Sequence, residues 1–176
     1  EAAIEQTECE AGTYANERGS SECKLADPGH YVGSMAAAAQ TACAPGEYQP
    51  QSSQTSCLTT EAGHQNPDIG STDMIPCEAG NYQHETGRTY CLAADPGSYV
   101  PTSAASAQIE CPAGTYSQVS ASTSCIDADA GYHIPESGST DQIECLAGTF
   151  SSDAGSSTCV NAEPGYYVLY IQATSQ

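Results

Sequence analysis

The chain has 176 residues and a formal charge of −19, with 22 acidic side chains against 3 basic ones. Leu, Ile, Val and Phe together number 19 and Trp is absent, too few for an ordinary hydrophobic core at this length. The charge makes nucleic acid and anionic membrane surfaces unfavourable partners, and no run approaches the ~18 consecutive apolar residues of a spanning helix. Ten cysteines reverse the disorder that such a composition otherwise implies. An even number at regular spacing in a core-poor chain reads as a disulfide framework, which belongs outside the reducing cytosol. Each closure of a ~15-residue loop removes about 3 kcal/mol of unfolded-state freedom.

A glycine recurs every 17 residues: Gly12, Gly29, Gly46, Gly63, Gly80, Gly97, Gly114, Gly131, Gly148 and Gly165. Ala or Pro precedes each one, as in Ala11 and Pro28. Pro or Ala at the first central position and Gly at the second is type II turn chemistry. Two residues past the glycine stands an aromatic in eight of ten units, from Tyr14 to Tyr167, with Gln65 and His133 as exceptions. Seven residues past it comes a small residue in nine of ten, with Gln172 the large one, which marks a second turn. The cysteines follow a 34-residue period, so odd units carry a pair and even units none. That period is shared with helical tetratricopeptide arrays, but Gly, Pro, Ser and Thr interrupt every window long enough for a helix. The expected fold is small, disulfide-rich and all-β: an elongated tandem array of ten hairpin-like units, with short strands and no substantial helix.

In chain order the reading divides into a partial repeat at 1–8 and repeats at 9–42, 43–76, 77–110, 111–144 and 145–176. The sequence begins and ends inside a unit, which suggests a window on a longer array. In repeat 9–42 the even unit opens with Asp27 and carries Ala26 and Gln40 where odd units have cysteines. The same two positions hold Thr60 and Met74, Ala94 and Gln108, Ala128 and Gln142, then Ala162 and Gln176. A side-chain amide both donates and accepts, so these glutamines are expected to tie the even units by hydrogen bonds. Repeat 43–76 holds His64 and Gln65 after its even turn. Repeat 111–144 contains Asp127 and Asp129, the best local pair for a weak calcium site, although an acidic residue before the turn is first of all turn chemistry. There Tyr132 stands one place before His133 and is expected to serve in place of the missing aromatic. The four histidines sit at scattered repeat positions and read as solvated, not as a metal or acid–base cluster. In repeat 145–176 the polar stretch of other even units is replaced by Tyr166, Tyr167, Val168, Leu169, Tyr170 and Ile171. Six consecutive apolar or aromatic residues read as an adhesive strand edge suited to a second chain.

The motif Cys111-Pro112-Ala113-Gly114-Thr115-Tyr116, closed by Cys125, resembles the small module of tumour necrosis factor receptor ectodomains. It is also similar to ephrin-receptor-like extracellular cysteine-rich repeats. The odd units carry the resemblance; the even units keep the glycine and aromatic but lack both cysteines. The resemblance implies bonds within a module, Cys9–Cys23, Cys43–Cys57, Cys77–Cys91, Cys111–Cys125 and Cys145–Cys159. The sequence itself leaves open the rival scheme that joins Cys23 to Cys43 and onward.

No nucleophile elbow is present and no serine differs from its repeat equivalents, so an enzyme is not expected. The expected function is structural: a subunit of an extracellular filament, surface appendage or stalk on a secreted or cell-surface protein, self-associating into a homopolymer and needing no cofactor. The alternative is a receptor- or adhesin-like ectodomain that binds a protein or glycan, with calcium a weak candidate. Ser/Thr-rich turns leave O-glycosylation open on composition.

Overall fold

A chain that turns at each periodic glycine must satisfy the backbone groups of that turn locally, and it does so the same way ten times. The N–H after each glycine donates to the carbonyl three residues back at 2.9–3.1 Å, and the ten glycines have φ of 80–93°. Positive φ at the third turn position is the type II signature. The second turn holds as well: the residue seven places on has φ of 53–77° in every unit, including Ala36, Ser53, Ala104, Ala121 and Gln172. Side chains other than glycine are tolerated there at a strain of about 1 kcal/mol.

The computed structural model describes residues 6–176. Most of the expected partial repeat at 1–8 therefore lies outside the described residues. The described residues form no helix and nine two-stranded antiparallel sheets. The first four hairpins are β1 (Thr13–Tyr14) with β2 (Lys24–Leu25), β3 (His30–Tyr31) with β4 (Thr41–Ala42), β5 (Glu47–Tyr48) with β6 (Leu58–Thr59), and β7 (His64–Gln65) with β8 (Ile75–Pro76). Next come β9 (Asn81–Tyr82) with β10 (Leu92–Ala93), β11 (Ser98–Tyr99) with β12 (Ile109–Glu110), and β13 (Thr115–Tyr116) with β14 (Ile126–Asp127). The last two are β15 (Tyr132–His133) with β16 (Ile143–Glu144) and β17 (Thr149–Phe150) with β18 (Val160–Asn161). Each strand is two residues long, shorter than the sequence suggests, because the two turns of a unit leave no room for a longer ladder.

The register puts the aromatic opposite an aliphatic in several hairpins: Tyr48 faces Leu58, Tyr116 faces Ile126 and Phe150 faces Val160. Such cross-strand pairs are the unit of hairpin stabilisation. Two compact lobes can be distinguished. The first runs up to Pro76 and includes Gln83–Cys91; the second comprises Cys77–Tyr82 and Leu92–Gln176.

Within each lobe the units are joined by backbone hydrogen bonds in a fixed register. The turn N–H donates to the carbonyl 20 residues on, as Gly12 to Val32 at 2.8 Å and Gly114 to Ile134 at 2.8 Å. The second turn of the following unit donates back, as Ser53 N–H to Ala26 C=O and Gly155 N–H to Ala128 C=O, both at 2.8 Å. Contact also reaches the unit after next. A Cβ built on Gly12 would overlap the carbonyl oxygen of Ser53; on Gly29, that of Gly70; on Gly114, that of Gly155. At these positions glycine is required by close approach as well as by φ.

In each lobe the core is a column of side chains at two recurring positions beside the turns. The position three before each glycine is buried in Ala26, Cys43, Thr60, Ala94, Cys111, Ala128 and Cys145. So is the position three after it, in Val32, Gln49, Asn66, Gln83, Val100, Ser117, Ile134, Ser151 and Val168. The aromatics two residues past the turn glycines are mostly half-buried; Tyr116 is buried and Tyr167 is exposed. They lie over the hairpin, and the turn column carries the interior. Tyr132 packs against the cluster of Tyr116, Ala128 and Ile134, in the role expected for it.

Candidate functional site

The candidate functional elements of this chain are the ties that close its hairpins. In odd units the chain just before the turn and the chain just before the second strand are joined by sulfur. Cys9–Cys23, Cys43–Cys57, Cys111–Cys125 and Cys145–Cys159 are disulfides with Cα atoms 5.7 Å apart, within the ordinary range for an unforced bridge. Cys77 and Cys91 are disulfide-bonded too, and no described cysteine is free.

Even units make the same closure with an amide. Gln40 Oε1 accepts from the Asp27 N–H at 2.7 Å, and Gln40 Nε2 donates to Asp27 Oδ2 at 2.7 Å. Gln108 with Asp95 and Gln142 with Asp129 repeat this reciprocal pair. Gln176 Oε1 accepts from the Glu163 N–H at 2.6 Å. In four of the five even units the acidic residue before the turn thus holds the glutamine that replaces the sulfur. Met74 cannot make this pair, and Thr60 in the same unit has a buried hydroxyl with no hydrogen-bond partner.

Sequence reasoning missed the polar members of the core column. Gln49 Nε2 donates to Ser56 C=O at 2.8 Å, Gln83 Nε2 to Tyr90 C=O at 2.8 Å, and Asn66 Nδ2 to Asp73 C=O at 3.1 Å. Each buried amide spans the loop of its own hairpin and satisfies a carbonyl that no strand reaches. The signal was present as Gln, Asn, Gln at three successive equivalent positions, but surface residues in a polar chain look the same.

The weak calcium pair is placed as follows. Asp127 is exposed on β14, paired with Thr115. Asp129 Oδ2 accepts from Gln142 Nε2 at 2.8 Å. Neither belongs to a cluster of three or more potential ligands among the described residues.

His133 departs from the expectation of a solvated ring. It is half-buried, and its Nδ1 lies 3.1 Å from Cys159 Sγ. His133, Cys145 and Cys159 bring one nitrogen and two sulfurs within 4.8 Å of one another. The two sulfurs are bonded to each other, and a disulfide lacks the thiolates that ligate a metal.

The segment from Tyr166 to Ile171 forms no strand, contrary to the expected edge. Val168 is buried and its carbonyl accepts from Gly148 N–H at 2.9 Å. Tyr166, Tyr167, Leu169, Tyr170 and Ile171 are all more than half exposed.

Among the described residues no helix is long and apolar enough to cross a membrane. No protein-family model matches the chain, and no curated protein matches it. What the geometry establishes is a disulfide-stabilised tandem array of β-hairpins, consistent with cysteine-rich repeats in general and without a catalytic triad among the described residues.

Proposed function

We propose that this chain is a structural segment of an extracellular filament, surface appendage or stalk, and that copies of it associate through the Tyr166–Ile171 segment. The carrying observation is the repetition itself. Turn glycine, tie and core column recur with the same backbone bonds along both lobes, which makes mechanical continuity the property under constraint. Multiple disulfides fit an oxidising environment, and that supports placement outside the cell. Five exposed apolar side chains in one short segment of a strongly acidic chain supply an adhesive patch of the kind that marks an association surface.

Sedimentation velocity tests the association. The chain is expected to form larger species as its concentration rises. The combined variant Tyr167→Ser, Leu169→Ser and Tyr170→Ser, all exposed positions, is expected to stay monomeric with unchanged melting. Equal association of both proteins would remove the segment from the account.

A further inference from the structure

The disulfides share one geometry, and one repeat position beside them varies in sequence. Two residues past the turn glycine of the preceding even unit stands Tyr31 before Cys43–Cys57, Tyr99 before Cys111–Cys125, and His133 before Cys145–Cys159. The imidazole Nδ1 lies 3.1 Å from Cys159 Sγ. The two sulfurs of this bridge are not equally accessible: Cys145 is fully buried, whereas Cys159 is half-buried. Cys159 also lines an open hollow of about 320 Å³ with His133, Pro135, Glu144, Leu146 and Thr149. That volume admits a small thiol or the cysteine side chain of another polypeptide.

We propose that Cys145–Cys159 is a thiol-exchange site, at which an external thiol forms a mixed disulfide with Cys159 and His133 carries the proton. The nucleophile in such an exchange is the thiolate, so a base beside the attacked sulfur accelerates it. With its Nε2 protonated, His133 presents a lone pair at Nδ1. The incoming thiol R–SH gives its proton to Nδ1, and its sulfur attacks Cys159 Sγ. The Cys145–Cys159 bond breaks, the electron pair leaves on the Cys145 sulfur, and R–S–S–Cys159 forms. The Cys145 thiolate, whose sulfur lies within 4.8 Å of a ring nitrogen of His133, takes the proton from the imidazolium. No net oxidation or reduction of sulfur occurs. The reverse path, in which Cys145 attacks Cys159 and expels R–S⁻, restores the bridge with the same groups. This assignment does not depend on the filament reading.

The test uses the intact oxidised chain, exposed briefly to limiting cysteamine, quenched with acid and mapped by mass spectrometry for the mixed disulfide at each cysteine. Adduct is expected at Cys159 at least ~10-fold faster than at Cys125 or at the exposed Cys23. His133→Gln, a residue that this position accepts at Gln65, is expected to bring Cys159 down to the Cys125 rate with melting unchanged. Tyr99→His is expected to raise the rate at Cys125. Equal rates at Cys23, Cys125 and Cys159 in the unaltered chain would overturn the proposal. So would an unchanged Cys159 rate in a folded His133→Gln protein together with no gain in Tyr99→His.

Discussion

Gly46 and Gly19 have similar positive φ, 85° and 77°, yet they carry different constraints. A Cβ on Gly46 would overlap the carbonyl of Gly87, whereas one on Gly19 meets nothing within 4 Å. Gly46→Ala therefore combines backbone strain with a steric clash between backbones and is expected to cost more than about 2 kcal/mol. Gly19→Ala carries the strain alone, about 1 kcal/mol, at a position where Ala36, Ala104 and Ala121 already stand. Denaturant unfolding of the two variants checks the contrast; equal losses would show that φ alone explains the glycines. At this scale the turn was legible because only glycine suits its third position. The close approach was not, since the carbonyl it accommodates lies 41 residues downstream and nothing in Gly46 itself points to it. The buried amides of Gln49, Asn66 and Gln83 were illegible for a related reason: their carbonyl partners lie in loops, and polarity in an acidic chain ordinarily signals exposure.

All but one of the hairpins are closed once, by sulfur or by amide, and the two closures differ in strength. Replacing Cys111 and Cys125 by serine is expected to cost about 3 kcal/mol, the chain entropy of a ~15-residue loop. Gln108→Ala removes two exposed hydrogen bonds to Asp95 and is expected to cost at most about 1 kcal/mol. Comparable losses in thermal melting would contradict this ranking. The substitution of Gln for sulfur could be read from the sequence because it recurs at one position in four of the five even units. The hairpin built on Gly63 has neither closure, and its Thr60 buries a hydroxyl that meets no partner. Thr60→Ala installs the residue found in the other even units, and it is expected to stabilise the protein by about 1 kcal/mol through removal of an unmet polar group. A lower melting temperature in that variant would mean that the Thr60 methyl contributes more packing than the hydroxyl costs.

Within each lobe the hydrogen-bond register makes a unit both donor and acceptor to the next, so stability accrues there by neighbour contacts as in other repeat arrays. Here the contacts extend one unit further, from Gly12 to Ser53 and from Gly131 to Gln172, which couples odd units with odd and even with even. The repeat architecture could be read almost entirely from the glycines and cysteines. The contact between His133 and Cys159 could not, because the residues are 26 apart and the repeat position of His133 is elsewhere occupied by an aromatic or by Gln65. The Tyr166–Ile171 segment was recognisable as apolar from the sequence, but its irregular backbone was not: each hairpin strand spans two residues, and a six-residue apolar run suggests a longer one. Electron microscopy of the purified, oxidised chain tests the central claim most directly. The account predicts regular fibres whose formation is lost in the Tyr167→Ser, Leu169→Ser, Tyr170→Ser variant; dispersed single particles at every concentration, binding a glycan or an unrelated protein instead, would contradict it.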